Sequence, residues 1–345
     1  MDTVPLYLPN QKKSRTGIKI LAVDIGGTKT SLGVYNLVNG AMNLMDEITL
    51  PSSAHTSFDH ILTDYLKKNI SARPDVLAIG VAGPVMDGKV NLTNLSWSID
   101  VEAIRRQHGI EEVYLLNDLE ATAYGLVGIA DDDLAVINTG SDQKGNMAIL
   151  APGTGLGEAG LFWDGENYRP FATEGGHSEF SPRTELDFEL FQYLRDETPL
   201  ISWEHLVSGK GIYRIYRFLR ESKRYKEPAW LREKLENEDP AAVISHTAIR
   251  ELNDTCVTAM QLFVTYMARE STSLALKLKA TGGLYLGGGI PPRIYPLLKD
   301  ELFREQFIQS DRMDPLLREI PIRVILNSKA ALLGAAYFGA FGSRD

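Results

Sequence analysis

The feature that most constrains this chain is a pattern that occurs twice: an apolar strand, a turn rich in glycine and threonine, and a second strand. The first copy is centred on Gly26-Gly27-Thr28 and the second on Gly153-Thr154-Gly155, with more than a third of the chain between them. Such glycines tolerate positive φ and carry no Cβ, so backbone N–H groups in these turns can approach an anion closely. Two turns of this kind on separate domains predict a clamp for a polyphosphate.

A carboxylate accompanies the first turn. Asp24 lies at the end of the strand before it, where a phosphate-bound Mg²⁺ needs an oxygen partner, usually through water. An ordinary hairpin, in which the aspartate and the glycines serve only the turn, is the alternative interpretation of this stretch.

Two better-known phosphate motifs do not apply. The segment 155–160 satisfies G-x-G-x-x-G, but the residues after it read as a strand and a turn, whereas the dinucleotide fingerprint requires a helix. The Walker pattern is also absent, because Gly209-Lys210 is followed by Gly211 instead of serine or threonine.

Length and charge narrow the function classes. A chain of 345 residues, 44% hydrophobic and 23% charged, is expected to form about two domains. Its net charge of -9 opposes general binding to nucleic acid or to an anionic membrane. The single Cys256 excludes an internal disulfide framework and any multi-cysteine zinc site. With no apolar run long enough for a signal peptide or a membrane span, we expect a soluble cytoplasmic protein.

The order of predicted elements begins β-β-β-α-β, with a buried strand at 76–81 that follows a helix with one apolar face. A long apolar helix is predicted over 255–280, and a helix rich in alanine and glycine over 329–341, capped by Ser328. The charged stretch 217–237 has no clean apolar stripe and is expected to be a solvated, partly helical excursion.

Asn117-Asp118 follows a short apolar strand and precedes good helix-forming residues. Ligands bind at the carboxyl ends of strands in open α/β sheets, so a carboxylate here could act on a substrate hydroxyl. Asparagine and aspartate are also favoured helix N-caps, and position alone does not separate the two roles.

Three further polar or glycine-rich segments are candidate ligand contacts. Glu174 and His177, separated by two glycines, could both hydrogen-bond a polyhydroxy ligand, and no second histidine or cysteine lies near them to complete a zinc site. Glu204 is either a partner of a helix dipole or another pocket carboxylate. The glycines of 287–289 could lie flat against a purine ring, or could form a plain turn.

Taken together, these segments occur in the order found in the superfamily of sugar kinases, heat-shock proteins and actin, and over residues 18–341 the chain closely resembles the bacterial ATP-dependent glucokinases. The ordered set is far more specific than any single glycine motif. It consists of Asp24 to Thr28, Asn117-Asp118, Gly153 to Gly157, Glu174 to His177, Gly287 to Ile290 and the terminal small-residue helix. Thr93-Asn94 before Trp97 and Leu206 to Gly209 after Glu204 add to the likeness.

The resemblance implies an α/β protein with the two-domain actin-like ATPase (ribonuclease H-like) fold and an interdomain cleft. The domains expected from it are 1–132 with 328–345, and 133–327. It implies glucose as substrate, ATP and Mg²⁺ as cofactors, and a homodimer. By the likeness, Asp118 is the catalytic base. The sugar is bound by Asn94, Asn117, Asp118, Glu174, His177 and Glu204. The nucleotide is bound by Val23, Asp24, Ile25, Gly26, Gly27, Thr28, Gly153, Thr154, Gly155, Gly288 and Gly289. No residue is expected to ligate the metal directly, and Asp24 is expected to reach Mg²⁺ through water.

One position departs from the family pattern. Lys29 stands where these glucokinases often carry asparagine, and it is more like the repressor, open-reading-frame and kinase group of sugar kinases. The cysteine-rich zinc motif of that group cannot be present in a chain with one cysteine. The alternatives to a glucokinase are therefore a kinase for another hexose or N-acetylhexosamine, and a non-catalytic sugar-binding sensor.

Overall fold

The computed structural model describes residues 4–10, 15, 17–38, 41–69, 73–92, 95–222 and 225–342. The described residues fall into two compact units. The first lies within Met1–Asp133, Leu161–Ala172 and Asn327–Asp345, and the second within Leu134–Gly160 and Thr173–Leu326. None of the described helices is long and apolar enough to cross a membrane.

The strands, in chain order, are β1 (Lys19–Ile25), β2 (Lys29–Val38), β3 (Ala41–Pro51), β4 (Val76–Val81), β5 (Lys89–Leu92), β6 (Trp97–Asp100), β7 (Glu112–Asn117), β8 (Leu134–Asn138), β9 (Met147–Pro152), β10 (Leu156–Trp163), β11 (Tyr168–Thr173), β12 (Gly283–Leu286) and β13 (Ile322–Ile325). The α-helices are α1 (Phe58–Lys68), α2 (Val101–His108), α3 (Asp118–Gly125), α4 (Glu185–Arg195), α5 (Gly209–Glu221), α6 (Ala229–Asn237), α7 (Pro240–Ile249), α8 (Asp254–Leu278), α9 (Tyr295–Leu298), α10 (Glu301–Ile308), α11 (Asp314–Arg318) and α12 (Ala330–Phe341).

The first unit is built on a five-stranded sheet in the order β3-β2-β1-β4-β7. β1 is antiparallel to β2 and parallel to β4, and β4 is parallel to β7. Every residue of β4 is buried, as expected for a central strand covered on both faces. The parallel arrangement places the carboxyl ends of β1, β4 and β7 at one edge of the sheet.

Small residues bring α12 against α3. A Cβ on Gly334 would overlap the carbonyl oxygen of Ala121, and one on Gly125 would overlap that of Ala330. The helix backbones therefore touch at two positions where any side chain larger than hydrogen is excluded. The helix begins one residue later than predicted, because Lys329 is its N-cap instead of Ser328.

A six-stranded sheet has the order β11-β10-β9-β12-β13-β8. Its strands β8, β9, β12 and β13 belong to the second unit, whereas residues 161–172, which include the end of β10 and most of β11, belong to the first. The main core of the second unit surrounds α8, a 25-residue helix that contacts α5, α7 and α10. The side chain of Asn253 caps this helix by accepting a hydrogen bond from Cys256 N.

A buried ion pair ties α4 to α8. Thr184 and Asp187 form a capping box at the start of α4. Asp187 also accepts hydrogen bonds from Arg269 Nη1 at 2.7 Å and from Tyr266 Oη at 3.0 Å. Both charged side chains are almost fully buried, with 7% of the Arg269 and 2% of the Asp187 side chain exposed. The two buried charges are therefore compensated by each other instead of by water.

The stretch 217–237 is partly helical, as predicted, but the prediction that it is solvated is wrong for residues 217–221. Residues 217–221 complete α5, in which Phe218 and Leu219 are buried. Leu231 of α6 is also fully buried. The apolar positions were hidden in the sequence by neighbouring arginines and glutamates, which form ion pairs, including Arg220 with Glu227.

Candidate functional site

The first unit brings three predicted segments to one edge of its sheet. Ile25 of β1 is paired with Val81 of β4, and Val81 with Asn117 of β7, so these three strands end side by side. Asp24 and Asp118 thus occupy the carboxyl edge where ligands bind in open α/β sheets. Gly80 lies between them, and a Cβ there would come within 3.1 Å of Ala121 Cβ. Glycine at this position lets α3 start close to the sheet.

The first glycine turn is a hairpin held in shape by a buried serine. Gly26 N donates to Lys29 O at 2.9 Å and closes the turn. Ser52, fully buried after β3, donates from Oγ to Gly26 O at 3.0 Å and from N to Thr28 O at 3.0 Å. These bonds occupy carbonyl groups of the turn. Gly27 is exposed, so an anion can approach the backbone of the turn. Because the side chains of Val23 and Ile25 are buried, only their main chain is available to a ligand.

Asn117 caps helix α3, which was the structural role considered for it. Its Oδ1 accepts from Leu119 N at 2.9 Å and from Glu120 N at 3.3 Å, and its Nδ2 donates to Gly83 O at 3.2 Å. Asp118 is the first residue of the helix, and its Oδ1 accepts from Leu119 N at 3.0 Å. The cap therefore fixes the position from which the Asp118 carboxylate projects.

Two carboxyl groups near this edge have raised pKa values. Burial, together with the negative charge of Asp118, raises the pKa of Asp24 to about 7. Burial also raises the pKa of Glu120 to about 7. Sequence reasoning missed Glu120, although its spacing of three residues from the N-cap is the signal of a capping box. The electrostatic cost at Asp24 is one that a bound cation would relieve.

In the second unit, the turn after β9 is held by Glu204. Gly153 N donates to Gly155 O at 2.8 Å, and Gly209 N donates to Gly153 O at 2.9 Å. Leu156 N donates to Glu204 Oε2 at 2.9 Å, and a Cβ on Gly155 would overlap that oxygen. Thr154, at the tip, is exposed. Glu204, which is predicted to bind the sugar, therefore accepts a hydrogen bond from the hairpin that carries the predicted phosphate loop.

Glu174 and His177 lie on a short 3-10 turn beside the same hairpin. Their side chains are 56% and 64% exposed, with Oε2 and Nε2 4.0 Å apart. The turn lies against β10, because a Cβ on Gly176 would overlap Leu156 O. His205, next to Glu204, accepts from Ser202 N at Nδ1, and burial lowers its pKa, so it is neutral near pH 7.

The third glycine turn also meets the β9 end. Gly288 has φ +77°, and a Cβ there would lie 2.6 Å from Pro152 O, so only glycine fits. Ile290 N donates to Pro152 O at 3.3 Å, whereas Gly289 is exposed with open space at its Cβ position. The second unit thus gathers the phosphate loop, the proposed adenosine turn and three proposed sugar ligands around one hairpin.

Asn94 lies outside the described residues, so its predicted role remains a prediction. Ser52 carried no functional signal in the sequence, because its role follows from pairing between β2 and β3. The described residues contain no group of three or more histidine, cysteine, aspartate or glutamate side chains that could hold a metal ion.

Comparison with known proteins identifies the family. Residues 21–340 match the family model described as glucokinase. A curated glucokinase from Nostoc sp. is 38% identical over 337 residues, which cover 93% of this chain and 98% of that protein.

Solved structures agree. The crystal structure of a glucokinase from an Antarctic psychrotroph has a TM-score of 0.78 and 29% identity, and the match covers 93% of this chain and 98% of that one. A ROK family glucokinase from Streptomyces griseus, in complex with glucose and AMPPNP, has a TM-score of 0.63 and 20% identity, with coverage of 93% and 99%. The predicted α/β fold of the actin-like ATPase class is confirmed. The chain belongs to the glucokinase family.

Proposed function

We propose that this protein transfers the γ-phosphoryl group of ATP to the 6-hydroxyl of glucose, giving glucose 6-phosphate and ADP. The observation that carries the proposal is the β9–β10 hairpin. Directly after its phosphate loop, Gly153 to Gly155, Leu156 N donates to Glu204, and the turn with Glu174 and His177 lies against Leu156. Groups suited to a phosphate and groups suited to a polyhydroxy ligand are thus held by the same short element.

Asp118 is the proposed general base. A carboxylate that accepts the proton of the 6-hydroxyl allows that oxygen to attack the γ-phosphorus in line. The Asn117 cap and the bond from Leu119 N hold the carboxylate in place, which matters because most of the catalysis in phosphoryl transfer is positioning and electrostatic stabilisation.

The two glycine turns are the proposed phosphate contacts. Their backbone N–H groups donate to phosphate oxygens, and the third turn, with Gly288 and Gly289, lies against the adenosine. Mg²⁺ suits the position beside Asp24, because burial and the charge of Asp118 together disfavour an ionised Asp24 in the absence of a cation. Asp24 would hold the ion through water. When bound, the ion neutralises negative charge on the phosphates.

Sugar recognition is assigned to groups that have capacity for further hydrogen bonds. Asn117 uses one of its two Nδ2–H groups on Gly83 O, and the second is proposed to donate to a sugar hydroxyl. Glu204 Oε2 is bonded to Leu156 N, and Oε1 is proposed to accept from the sugar. The exposed Glu174 and His177 complete the set. The homodimer and the cytoplasmic location implied by the resemblance are proposed with this function.

The test is an assay of ADP release with Mg-ATP and a panel of glucose, mannose, fructose, N-acetylglucosamine and N-acetylmannosamine, with a blank that contains no sugar. We expect saturable turnover that is strongest on glucose. A stronger response to another sugar would reassign the substrate. If no sugar raised ADP release above the blank, the kinase proposal would fail, and calorimetry with the same sugars would test a non-catalytic sensor.

A further inference from the structure

Two glutamates with no assigned role face each other inside the second unit. Glu158 of β10 is 2% exposed and Glu270 of α8 is fully buried, and each carboxyl group shifts the pKa of the other. Among the described residues, no hydrogen-bond partner is found for Glu158 Oε1 or for either carboxyl oxygen of Glu270. Two ionised carboxylates in contact without donors are strongly disfavoured in a protein interior. The pair therefore needs a proton between its members.

The surrounding charges do not remove that need. Lys277, which is exposed, acts on both carboxyl groups only through its charge. Ser273 lies close to Glu270 and favours its ionised form, but its hydroxyl donates to Arg269 O at 3.2 Å. Burial raises the pKa of Glu158 to about 7, and burial with the neighbouring carboxylate raises that of Glu270 to about 9. Near neutral pH, the two carboxyl groups therefore hold one proton between them.

Glu158 lies directly against the turn that carries Glu174 and His177. A Cβ on Gly175 would overlap Glu158 Oε2 and lie 2.9 Å from Glu158 Cδ. Thr173 Oγ1 donates to Glu158 O at 3.1 Å and accepts from Gly175 N at 3.3 Å. The Glu158 carboxyl group is in contact with the backbone of the turn, so a shift of that group toward Gly175 must move the turn.

We propose that Glu158 and Glu270 share a proton as an acid–carboxylate pair, and that this pair holds the turn 174–177 in the geometry that binds the sugar. Both are positioning residues, and the inference rests on the proposed function of Glu174 and His177. Loss of the shared proton places two like charges in contact, and their repulsion drives Glu158 against Gly175. The affinity for glucose then falls, while the proton acceptor of the reaction, on the first unit, is unaffected.

The test compares the pH dependence of glucose binding in wild type, Glu270→Gln and Ser271→Ala. Calorimetric Kd values without ATP are measured from pH 6.5 to 10, with glucose KM from ADP release beside them. In the wild type, we expect the Kd to rise above about pH 9 by up to about tenfold per pH unit, because only the protonated pair is competent. The Kd of Glu270→Gln should stay flat, because the side-chain amide of this variant donates to Glu158 at every pH.

Ser271→Ala is the matched control, because Ser271 is a buried neighbour on the same helix whose hydroxyl has no described partner. It should keep the wild-type profile. Glu270→Ala, which removes one carboxyl group of the pair, should weaken glucose binding already at pH 7, with kcat less affected. If Glu270→Gln folds poorly, Glu158→Gln takes its place and should show the same flat profile of Kd against pH. A wild-type Kd that is flat to pH 10, or parallel profiles in wild type and both glutamine variants, would overturn the inference. A wild type that binds no glucose at pH 7 would instead refute the proposed function, and this inference with it.

Discussion

Gly155 is the residue of the second phosphate loop at which one methyl group has the most specific consequence. Its Cβ position overlaps Glu204 Oε2 and lies 3.2 Å from Glu204 Cδ. Gly155→Ala must therefore displace the carboxylate that accepts the hydrogen bond from Leu156 N. Gly153, two residues earlier, has no atom within 4 Å of its Cβ position. Gly153→Ala is thus a control for stability in the same loop.

The magnitude follows from these contacts. Loss of a hydrogen bond to a charged acceptor costs about 1.5–3 kcal/mol. Replacing glycine by alanine stabilises by about 0.4–1 kcal/mol through the unfolded chain where the backbone conformation allows it. Gly155→Ala should therefore lower the free energy of unfolding by roughly 1–2 kcal/mol, whereas Gly153→Ala should leave it unchanged or raise it by up to about 1 kcal/mol.

Urea unfolding followed by tryptophan fluorescence measures the difference, because Trp203 is buried next to Glu204. A double-mutant cycle isolates the contact: in a Glu204→Ala background both the overlap and the hydrogen bond are gone, so Gly155→Ala should no longer destabilise. Equal stabilities of Gly155→Ala and Gly153→Ala would contradict the role given to the contact between Gly155 and Glu204. So would an unchanged cost of Gly155→Ala in the Glu204→Ala background.

Four further predictions concern three separate sites. The KM for Mg-ATP should rise as the pH falls below about 7, because Asp24, with its raised pKa, is then protonated and loses the charge that favours a cation. Steady-state kinetics across pH 5.5–8.5 measure this trend, which should be absent in Asp24→Asn. Between the ordinary pKa of an aspartate and about pH 7, Asp24 is protonated in the folded protein but not in the unfolded chain. The free energy of unfolding therefore declines as the pH rises through this window, and urea titrations of Asp24→Asn should not show this slope. Ser52→Ala leaves Gly26 O without its side-chain donor and should cost about 1–2 kcal/mol in urea unfolding with a raised KM for ATP; an unchanged KM would show that the serine does not shape the turn. Arg269→Ala leaves Asp187 buried and unpaired and should cost about 3–5 kcal/mol; a melting temperature within a degree of wild type would contradict this.

The sequence predicted the elements whose signals are local. The strand at 76–81, the long helix predicted over 255–280 and the absence of a helix after the G-x-G-x-x-G match all follow from periodicity and turn chemistry, and the structure confirms them. The stretch 217–237 was misread because buried Phe218 and Leu219 stand beside charged residues, and periodicity does not show which neighbours will form ion pairs.

Within the site, what escaped sequence reasoning was contact between distant segments. Nothing in the sequence joins Glu158 to Glu270 or Glu204 to Leu156, since each pair meets only after the sheet and helices have packed. For Asn117, the difficulty was local, because the sequence allowed two roles for one side chain. Both roles considered for it use the same side chain, and its N-cap bonds leave one amide hydrogen for a ligand.

The central claim is that Asp118 serves as the base of a glucose kinase, and the most direct measurement is kcat of Asp118→Asn beside its calorimetric Kd for glucose. Asparagine keeps the size of the side chain but cannot accept the proton. We predict a kcat at least about 100-fold below wild type, with the Kd for glucose within a few fold and the fold intact by circular dichroism. Turnover close to that of wild type would contradict the account.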